Sequence, residues 1–206
     1  MGILERRERE LKKREEDILA AALSLMDRDD WQTVTIDQIA ARAEIGKGTV
    51  YKHFESKDQI YAMLVVDFHR GLIADIERID QTRPALEVLG EILDVFWRGH
   101  NGSAEYKRLV RYCRREDFRN IIGAELSAEL ESKDEQIVGM LHPIFQRGIA
   151  EGTILDKPVE SLILGVHAAM LGLTEMDGVE CMKTDMTPEQ KYKEVKEFAL
   201  RGISRR

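Results

Sequence analysis

Apolar residues recur at helical spacing along nearly the whole chain. Ile18, Ala22, Leu25 and Met26 follow one another at i, i+4, i+7 and i+8, which places them on one face of a helix with a 3.6-residue period. No stretch of useful length alternates apolar and polar residues as a half-buried strand does. No internal repeat or low-complexity segment interrupts the pattern. The sequence therefore predicts an all-α protein, with a small N-terminal module and a larger C-terminal helical bundle.

Capping signals predict where several of these helices begin. Thr35 with Gln38, and Ser56 with Gln59, are capping boxes, in which a hydroxyl accepts from the N3 amide while the glutamine side chain accepts from the N-cap amide. Thr187-Pro188-Glu189-Gln190 adds proline at the first helical position, where its missing N–H costs nothing. Turns are predicted at 100–103, 151–153 and 156–158, and a break in a long helical stretch is predicted near 117–123.

Composition excludes several classes of protein. With 206 residues, 43% of them hydrophobic and 33% charged, the chain is expected to be soluble and globular. It has no apolar run near the ~20 residues that span a bilayer, and charge follows the initiating methionine too closely for a signal peptide. Cys113 and Cys181 are far apart, which indicates neither a disulfide framework nor a zinc site. We expect a reduced, cytoplasmic protein without metal or cofactor.

The charge is unevenly distributed. The net charge is −7, yet residues 5–14 carry an excess of three positive charges and residues 42–57 an excess of two. A DNA-binding protein needs a basic surface and not a basic total, so the acidic balance does not exclude it. The stretch from Arg6 to Arg14 has two interpretations: an arm that reaches an adjacent DNA groove, or a helix whose interleaved glutamates form salt bridges.

The segment from Thr35 to Phe54 has the pattern of two short helices joined by a tight turn. Ile36, Ile39, Ala40 and Ala43 form the inner face of the first helix, and the pattern breaks at 44–46. The second helix is predicted from Lys47 to Phe54, with Val50 and Phe54 facing inward. In a helix-turn-helix of this kind, the second helix enters the major groove of DNA with its N-terminal residues leading.

This segment resembles the DNA-binding module of the TetR family of transcriptional regulators, over about residues 15–65. The most specific part is Gly48-Thr49-Val50-Tyr51, followed by His53-Phe54 and then Lys57. The resemblance implies a homodimeric, ligand-responsive regulator that binds a palindromic operator. It favours a repressor that a small-molecule effector releases from DNA. An activator or dual regulator of the same fold is the alternative, and a helical small-molecule-binding protein without DNA function is a further one.

The turn departs from the family pattern of glycine, an apolar residue and serine. Here it is Glu44-Ile45-Gly46. Glu44 is therefore expected at a left-handed backbone position, which costs a residue other than glycine about 1 kcal/mol or more. Gly46 replaces a serine N-cap with a weaker one.

The residue types fit contact with DNA. A long cation can reach a guanine edge or a phosphate, glycine allows close approach of the backbone, and free amides at a helix N-terminus favour a phosphate. By resemblance, phosphate contacts are assigned to Thr35, Tyr51, His53 and Lys57. Groove contacts are assigned to Lys47, Gly48, Thr49 and Lys52.

The remainder of the chain is interpreted by the same resemblance. Residues 1–60 are predicted to be the DNA-binding domain, and residues 61–206 an antiparallel bundle for effector binding and dimerisation. The predicted dimer interface combines a stripe of small residues with the last helix, and intramolecular packing is the alternative: Gly165, Ala168, Ala169, Gly172, Val195 and Phe198. The candidate effector-binding residues, for each of which ordinary core packing is the alternative, are Trp97, Tyr112, Cys113, Phe118, Phe145, His167 and Met170.

An enzyme of the same helical class is the main competing hypothesis. The chain lacks the His-Glu-x-x-His zinc motif, Glu-x-x-His pairs, a phosphate-binding loop and a serine elbow, and its five histidines are scattered. We therefore predict no enzymatic activity and no catalytic residues. Lys107, Arg111, Arg114 and Arg115 share one helical face, which suits either an anionic effector or a solvated surface.

Overall fold

The structure is a computed structural model that describes residues 2–27, 30–113, 115, 117–175 and 184–205. Within these residues the prediction of an all-α protein is confirmed, since no strand is formed beyond an isolated bridge between Ile154 and Ser204. The α-helices are α1 (Ile3–Ser24), α2 (Ile36–Arg42), α3 (Lys47–Val50), α4 (Lys57–Glu77), α5 (Ala85–Asn101), α6 (Ala104–Cys113), α7 (Phe118–Ile121), α8 (Ala124–Ala150), α9 (Val159–Glu175) and α10 (Pro188–Ile203). Short 3₁₀ turns lie at Leu25–Asp27 and Trp31–Thr33. Cys181 and Arg114 lie outside the described residues.

The capping signals locate the helix starts closely. The Thr35 and Thr187 boxes form in full, each with the threonine hydroxyl accepting from the amide three residues on. At the start of α4, the Ser56 hydroxyl accepts from the Gln59 amide at 3.2 Å as predicted. The Gln59 side chain, however, accepts from the amide of Glu55 at 2.9 Å, one residue earlier than a standard box requires.

Helix ends are less well predicted than helix starts. The second short helix was predicted to reach Phe54, but α3 ends at Val50 and the chain continues in turns. Helix α5 continues through Asn101, into the predicted turn at 100–103, and the predicted break at 117–123 contains the four-residue helix α7. These boundaries depend on tertiary packing, which local sequence patterns do not contain.

The basic N-terminal stretch is helical. Residues Arg6 to Arg14 belong to α1, and Arg6 pairs with Glu10 one turn later at 2.9 Å. Arg14 lies 3.6 Å from Asp17 on the same helix. Of the two interpretations left open by the sequence, the salt-bridged helix is the one that the structure contains.

The contacts between residues divide the chain into two units. The first comprises residues 1–70 and 101–133, and the second comprises residues 71–100 and 134–206. The core of the first unit joins residues of α1, α2 and α4 to Leu109, Phe118 and Ile122. Helices α6 and α7 are thus part of the same core as the predicted helix-turn-helix. The predicted functional boundary at residue 60 stays a prediction.

The second unit contains α5, α9 and α10 together with the C-terminal part of α8. Trp97 of α5 stacks on Tyr192 of α10, with ring centroids 4.6 Å apart. Asp94 accepts hydrogen bonds from Tyr192 at 2.5 Å and from Lys196 at 2.6 Å. Burial and the hydrogen bond to Asp94 raise the pKa of Tyr192, so the hydroxyl remains a donor at neutral pH. These contacts join α5 and α10.

Gly148 of α8 lies at the tightest contact of the second unit. A Cβ at this position would lie 2.7 Å from Cγ1 of Ile154 and 3.0 Å from Cβ of Ala85, both of which are fully buried. The turn that follows α8 depends on the same place, because the Gly148 carbonyl accepts from the amides of Thr153 and Ile154.

We expect Gly148→Ala to lower the free energy of unfolding by about 1–3 kcal/mol, as overpacking of a filled core does. Gly139→Ala is the matched control, because it lies on the exposed face of the same helix and its added Cβ meets nothing within 4 Å. The control should instead gain about 0.5–1 kcal/mol from helix propensity. Urea unfolding of both variants measures the difference, and equal effects would contradict the close contact at Gly148.

Candidate DNA-binding site

The N-terminus of α2 is held open toward solvent by its cap. Thr35 has extended backbone angles and its hydroxyl accepts from the amide of Gln38 at 3.3 Å, while the Gln38 side chain accepts from the Thr35 amide at 2.9 Å. Ile39 and Ala40 are buried, so the opposite side of the helix is exposed. The remaining free amides of this first turn can bind a phosphate.

The turn after α2 is closed by backbone bonds of the Schellman type. Glu44 has a φ of 56°, which confirms the predicted left-handed position. The Ile45 amide donates to the Ala40 carbonyl at 3.0 Å, and the Glu44 amide donates to the Ala41 carbonyl at 3.2 Å. Ile45 then packs on the core of the first unit. The turn geometry is thus retained without glycine at its left-handed position.

The orientation of α3 follows from its buried side. Val50 is fully buried and Phe54, just beyond the helix, is nearly so. With these two side chains in the core, Gly48, Tyr51 and Lys52 are exposed, and Tyr51 keeps 49% of its surface in solvent. A Cβ at Gly48 would meet nothing within 4 Å, so the glycine leaves free space at the exposed surface. The outward residues are those assigned to DNA, and Thr49 is half-buried beside them.

Lys47 is paired within the module. Its Nζ donates to Oδ2 of Asp37 at 2.9 Å, and both side chains are at least half exposed. The hydrogen bond and charge of Asp37 raise the pKa of Lys47, so the lysine is fully protonated at neutral pH. Sequence reasoning did not identify Asp37, although an acidic residue in the first turn of α2 was the available signal.

Lys57 donates hydrogen bonds to backbone carbonyls in addition to supplying a positive charge. Its Nζ donates to the carbonyls of Gln32 at 2.8 Å and Val34 at 2.9 Å, which joins the start of α4 to the residues just before α2. Burial lowers the pKa of Lys57 from its ordinary value. Two of its three N–H donors are used in this way, and one is left for a phosphate. The predicted phosphate contact stays a prediction, with a structural role now beside it.

His53 is mostly enclosed. Its side chain is 6% exposed, and Nδ1 lies 3.3 Å from Oε1 of Glu15 on α1. The ring thereby joins the residues after α3 to the first helix. The phosphate contact predicted for His53 also stays a prediction, and this burial argues against it. The sequence could not reveal it, because Glu15 lies 38 residues away.

Comparison with known proteins supports the same interpretation of this segment. A family model for bacterial regulatory proteins of the tetR family matches residues 18–64, from the C-terminal part of α1 to the second turn of α4. Residues 18–64 therefore form a DNA-binding module similar to that of the tetR family. The matched segment is the helix-turn-helix described above, and in such modules the second helix enters the major groove of DNA.

Individual relatives are distant in sequence and close in fold. The chain is 24% identical to the HTH-type transcriptional repressor NicS of Pseudomonas putida over 143 residues, which are 68% of this chain and 66%, just under two thirds, of that protein. A TetR-family regulatory protein from Rhodococcus RHA1 has a TM-score of 0.72 at 18% identity, covering 93% of this chain and 97% of that one. The Bacillus subtilis regulator FadR, solved with stearoyl-CoA, has a TM-score of 0.69 at 18% identity, covering 91% and 98%.

The residues predicted for a dimer interface lie on α9 and α10. Gly165, Ala168 and Phe198 are exposed, while Ala169, Gly172 and Val195 are half-buried. Phe198 has 74% of its surface exposed, and Leu164 on α9 has 67%. An open groove of about 240 Å³ runs between the two helices and is lined by Gly165, Val166, Ala169 and Phe198.

The candidate effector residues are distributed over both units. Tyr112, Cys113 and Phe118 belong to the first unit, where Phe118 is fully buried and burial raises the pKa of the Cys113 thiol. The others belong to the second unit: Trp97, Phe145, His167 and Met170. Phe145 is buried, and His167 is exposed on α9. Their role toward an effector stays a prediction.

Relief of the positive φ at Glu44 should stabilise the protein. We expect Glu44→Gly to raise the free energy of unfolding by up to about 1 kcal/mol, because glycine adopts this conformation without a Cβ clash. Glu44→Ala is the control, since it removes the carboxylate and keeps the Cβ. Chemical unfolding distinguishes the two. A gain with alanine equal to that with glycine would assign the effect to charge and not to backbone strain.

Proposed function

We propose that the protein is a sequence-specific, ligand-responsive transcriptional repressor that binds a palindromic operator as a homodimer. The observation that carries this proposal is the exposed surface of α3, where Gly48, Tyr51 and Lys52 face solvent because Val50 and Phe54 are committed to the core. The similarity to the repressor NicS supports repression of transcription and not activation. An activator using the same surface is the alternative.

The described geometry suggests a division of roles. Lys47, Gly48, Thr49 and Lys52 are proposed to face the major groove, where a lysine can donate to guanine O6 and N7. Tyr51 and the capped start of α2 at Thr35 are proposed to bind phosphates on either side. Because Asp37 holds Lys47, this lysine is oriented before DNA arrives. Such preorganisation reduces the side-chain entropy lost on binding.

Dimerisation is proposed through α9 and α10. Two exposed large apolar side chains, Leu164 and Phe198, lie beside a stripe of small residues that allows a second helix to approach closely. A two-fold dimer would present two copies of α3, and dimeric helix-turn-helix proteins bind half-sites one DNA turn, about 34 Å, or a multiple of it apart.

The effector is proposed to be a small molecule that binds within residues 61–206. FadR was solved with stearoyl-CoA, which is an observation about that protein. The effector of this chain is unidentified. None of the described helices combines the length and hydropathy needed to span a bilayer. We propose that the protein acts on DNA in the cytoplasm and is not an enzyme.

In vitro selection of bound duplexes tests the proposed function directly. The purified protein should recover a semi-palindromic site with half-sites about 34 Å apart or at a close multiple. Recovery of no duplex at low salt would contradict sequence-specific binding, and recovery of a single half-site would contradict the dimeric arrangement.

Lys52→Ala should lower the slope of log affinity against log salt by about 1, because a cation that faces the groove is lost, and should relax the preference at one base position. Lys47→Ala should relax the preference at another base position. Arg78→Ala is the control, because this exposed arginine lies in the second unit and pairs with Asp75. An unchanged salt slope in Lys52→Ala would exclude this lysine from the DNA surface.

Phe198→Asp should convert the dimer to monomer at micromolar concentration, because a buried carboxylate without a partner opposes association. We expect the dissociation constant of the dimer to rise about 100-fold or more. Val138→Asp places the same charge at another exposed apolar position, on α8, and should leave the dimer intact. Sedimentation velocity measures both variants, and a dimeric Phe198→Asp protein would exclude the α9–α10 interface.

A further inference from the structure

Helix α6 contacts the helix-turn-helix module through polar groups at two separate places. Near its middle, Arg108 donates to the carbonyl of Met26 at 2.6 Å, in the 3₁₀ turn that ends α1. Near its end, the Tyr112 hydroxyl donates to Oδ1 of Asp58 at 2.8 Å, in the first turn of α4. No role predicted from the sequence accounts for these contacts.

Asp58 is the centre of the second contact. Its Oδ1 also accepts from Nη2 of Arg115 at 3.3 Å. The guanidinium of Arg115 lies 3.9 Å from the centre of the Tyr112 ring, within the range of a cation–π interaction. One carboxylate oxygen thus receives two donors that also contact each other. Burial and the bond to Asp58 raise the pKa of Tyr112 to about 12, so its hydroxyl is a donor at neutral pH.

The Tyr112 ring fixes the geometry of this contact. It packs edge-on against Trp31 at 5.4 Å and against Tyr61 at 5.3 Å between ring centres. Tyr61 is fully buried and Trp31 nearly so. Because the ring is held on two sides, its hydroxyl has little freedom to leave Asp58. The hydrogen bond between Tyr112 and Asp58 is therefore held in one geometry by the packing of the ring.

Asp58 is next to Lys57 in the first turn of α4. Lys57 donates to the carbonyls of Gln32 and Val34, and Val34 precedes Thr35, the cap of α2. Polar contacts and adjacent residues thus connect α6, through the start of α4, to the start of α2. The start of α2 at Thr35 is proposed to bind a phosphate, and a phosphate contact is predicted for Lys57.

We propose that Asp58, held by Tyr112 and Arg115, is a positioning residue that sets the DNA affinity of the helix-turn-helix from outside the DNA surface. The inference rests on the proposed DNA surface of the helix-turn-helix. Loss of the Tyr112 or Arg115 donor frees the start of α4 to shift, and Lys57 carries that shift to the residues before α2. Affinity then falls although no group that touches DNA has been removed.

The test compares affinity and its salt dependence in Tyr112→Phe and Arg115→Gln. Binding is measured by fluorescence anisotropy on a duplex recovered by selection and on a random-sequence duplex, from 50 to about 300 mM salt. Both variants should bind both duplexes about fivefold or more weakly, because each loses a hydrogen bond to the charged carboxylate of Asp58. The salt slope should be unchanged, because every cation proposed at the DNA surface is retained. Tyr112→Phe keeps the ring and its packing, so the module should remain folded.

Tyr106→Phe is the matched control. It also removes a tyrosine hydroxyl, six residues earlier on α6, where the Tyr106 ring stacks on Phe68 with ring centres 5.1 Å apart. It should leave the affinity for DNA unchanged. The double variant Asp58→Asn/Tyr112→Phe should bind DNA no more weakly than whichever single variant has the lower affinity, because both substitutions break the same contact. If the affinity of the double variant fell by the product of the two single losses, the two residues would act independently and the inference would be overturned.

The outcomes separate this inference from the proposed DNA surface. A lower melting temperature with unchanged affinity in Tyr112→Phe and Arg115→Gln would make the contact purely structural and would overturn the inference. A salt slope lowered by about 1 in Arg115→Gln would also overturn it, since that result assigns Arg115 itself to a phosphate. If Lys52→Ala leaves the slope unchanged, the proposed DNA surface is wrong, and the inference is overturned with it.

Discussion

The burial of Val50 and Phe54 determines what the helix-turn-helix can present to DNA. Helix α3 has only four residues, too few to be stable alone, so it exists because its inner side joins a core that α1, α2 and α4 supply. Burying a side chain of either size contributes about 1.5–3 kcal/mol. Once these two positions are fixed, the helical repeat sets the direction of Gly48, Tyr51 and Lys52. The exposed surface is thus a consequence of the hydrophobic pattern, and its chemistry can vary without changing the fold.

Charge in the N-terminal unit is used both for folding and for the exposed surface. Lys47 pairs with Asp37, Lys57 binds two carbonyls, and His53 lies against Glu15, so three of the residues assigned to DNA also hold the module together. A net charge of −7 remains compatible with DNA binding because the module positions its cations locally. Substitution of these residues therefore changes stability and affinity together, which makes the salt dependence of binding more informative than affinity alone.

Features encoded by neighbouring residues could be predicted from the sequence, and features that join distant segments could not. The caps at Thr35 and Thr187 and the left-handed position of Glu44 involve partners within five residues, and all three agree with the structure. The carbonyl partners of Lys57 lie 23 and 25 residues away. Likewise, nothing in the local pattern of residues 104–113 indicates that α6 shares a core with α1 and α4. The contact of Tyr112 with Asp58 is a further example, and the effector role predicted for Tyr112 stays a prediction.

The turn at Glu44 has a consequence for how such modules are recognised in other chains. Its shape is specified by two amide–carbonyl bonds that any residue can make, and a residue other than glycine occupies it at a modest energetic cost. A search pattern that demands glycine at this position therefore rejects chains whose backbone follows the same path. The spacing from the first helix cap to the buried valine and phenylalanine of the second helix is the more durable criterion, because it reflects the core that the two helices must share.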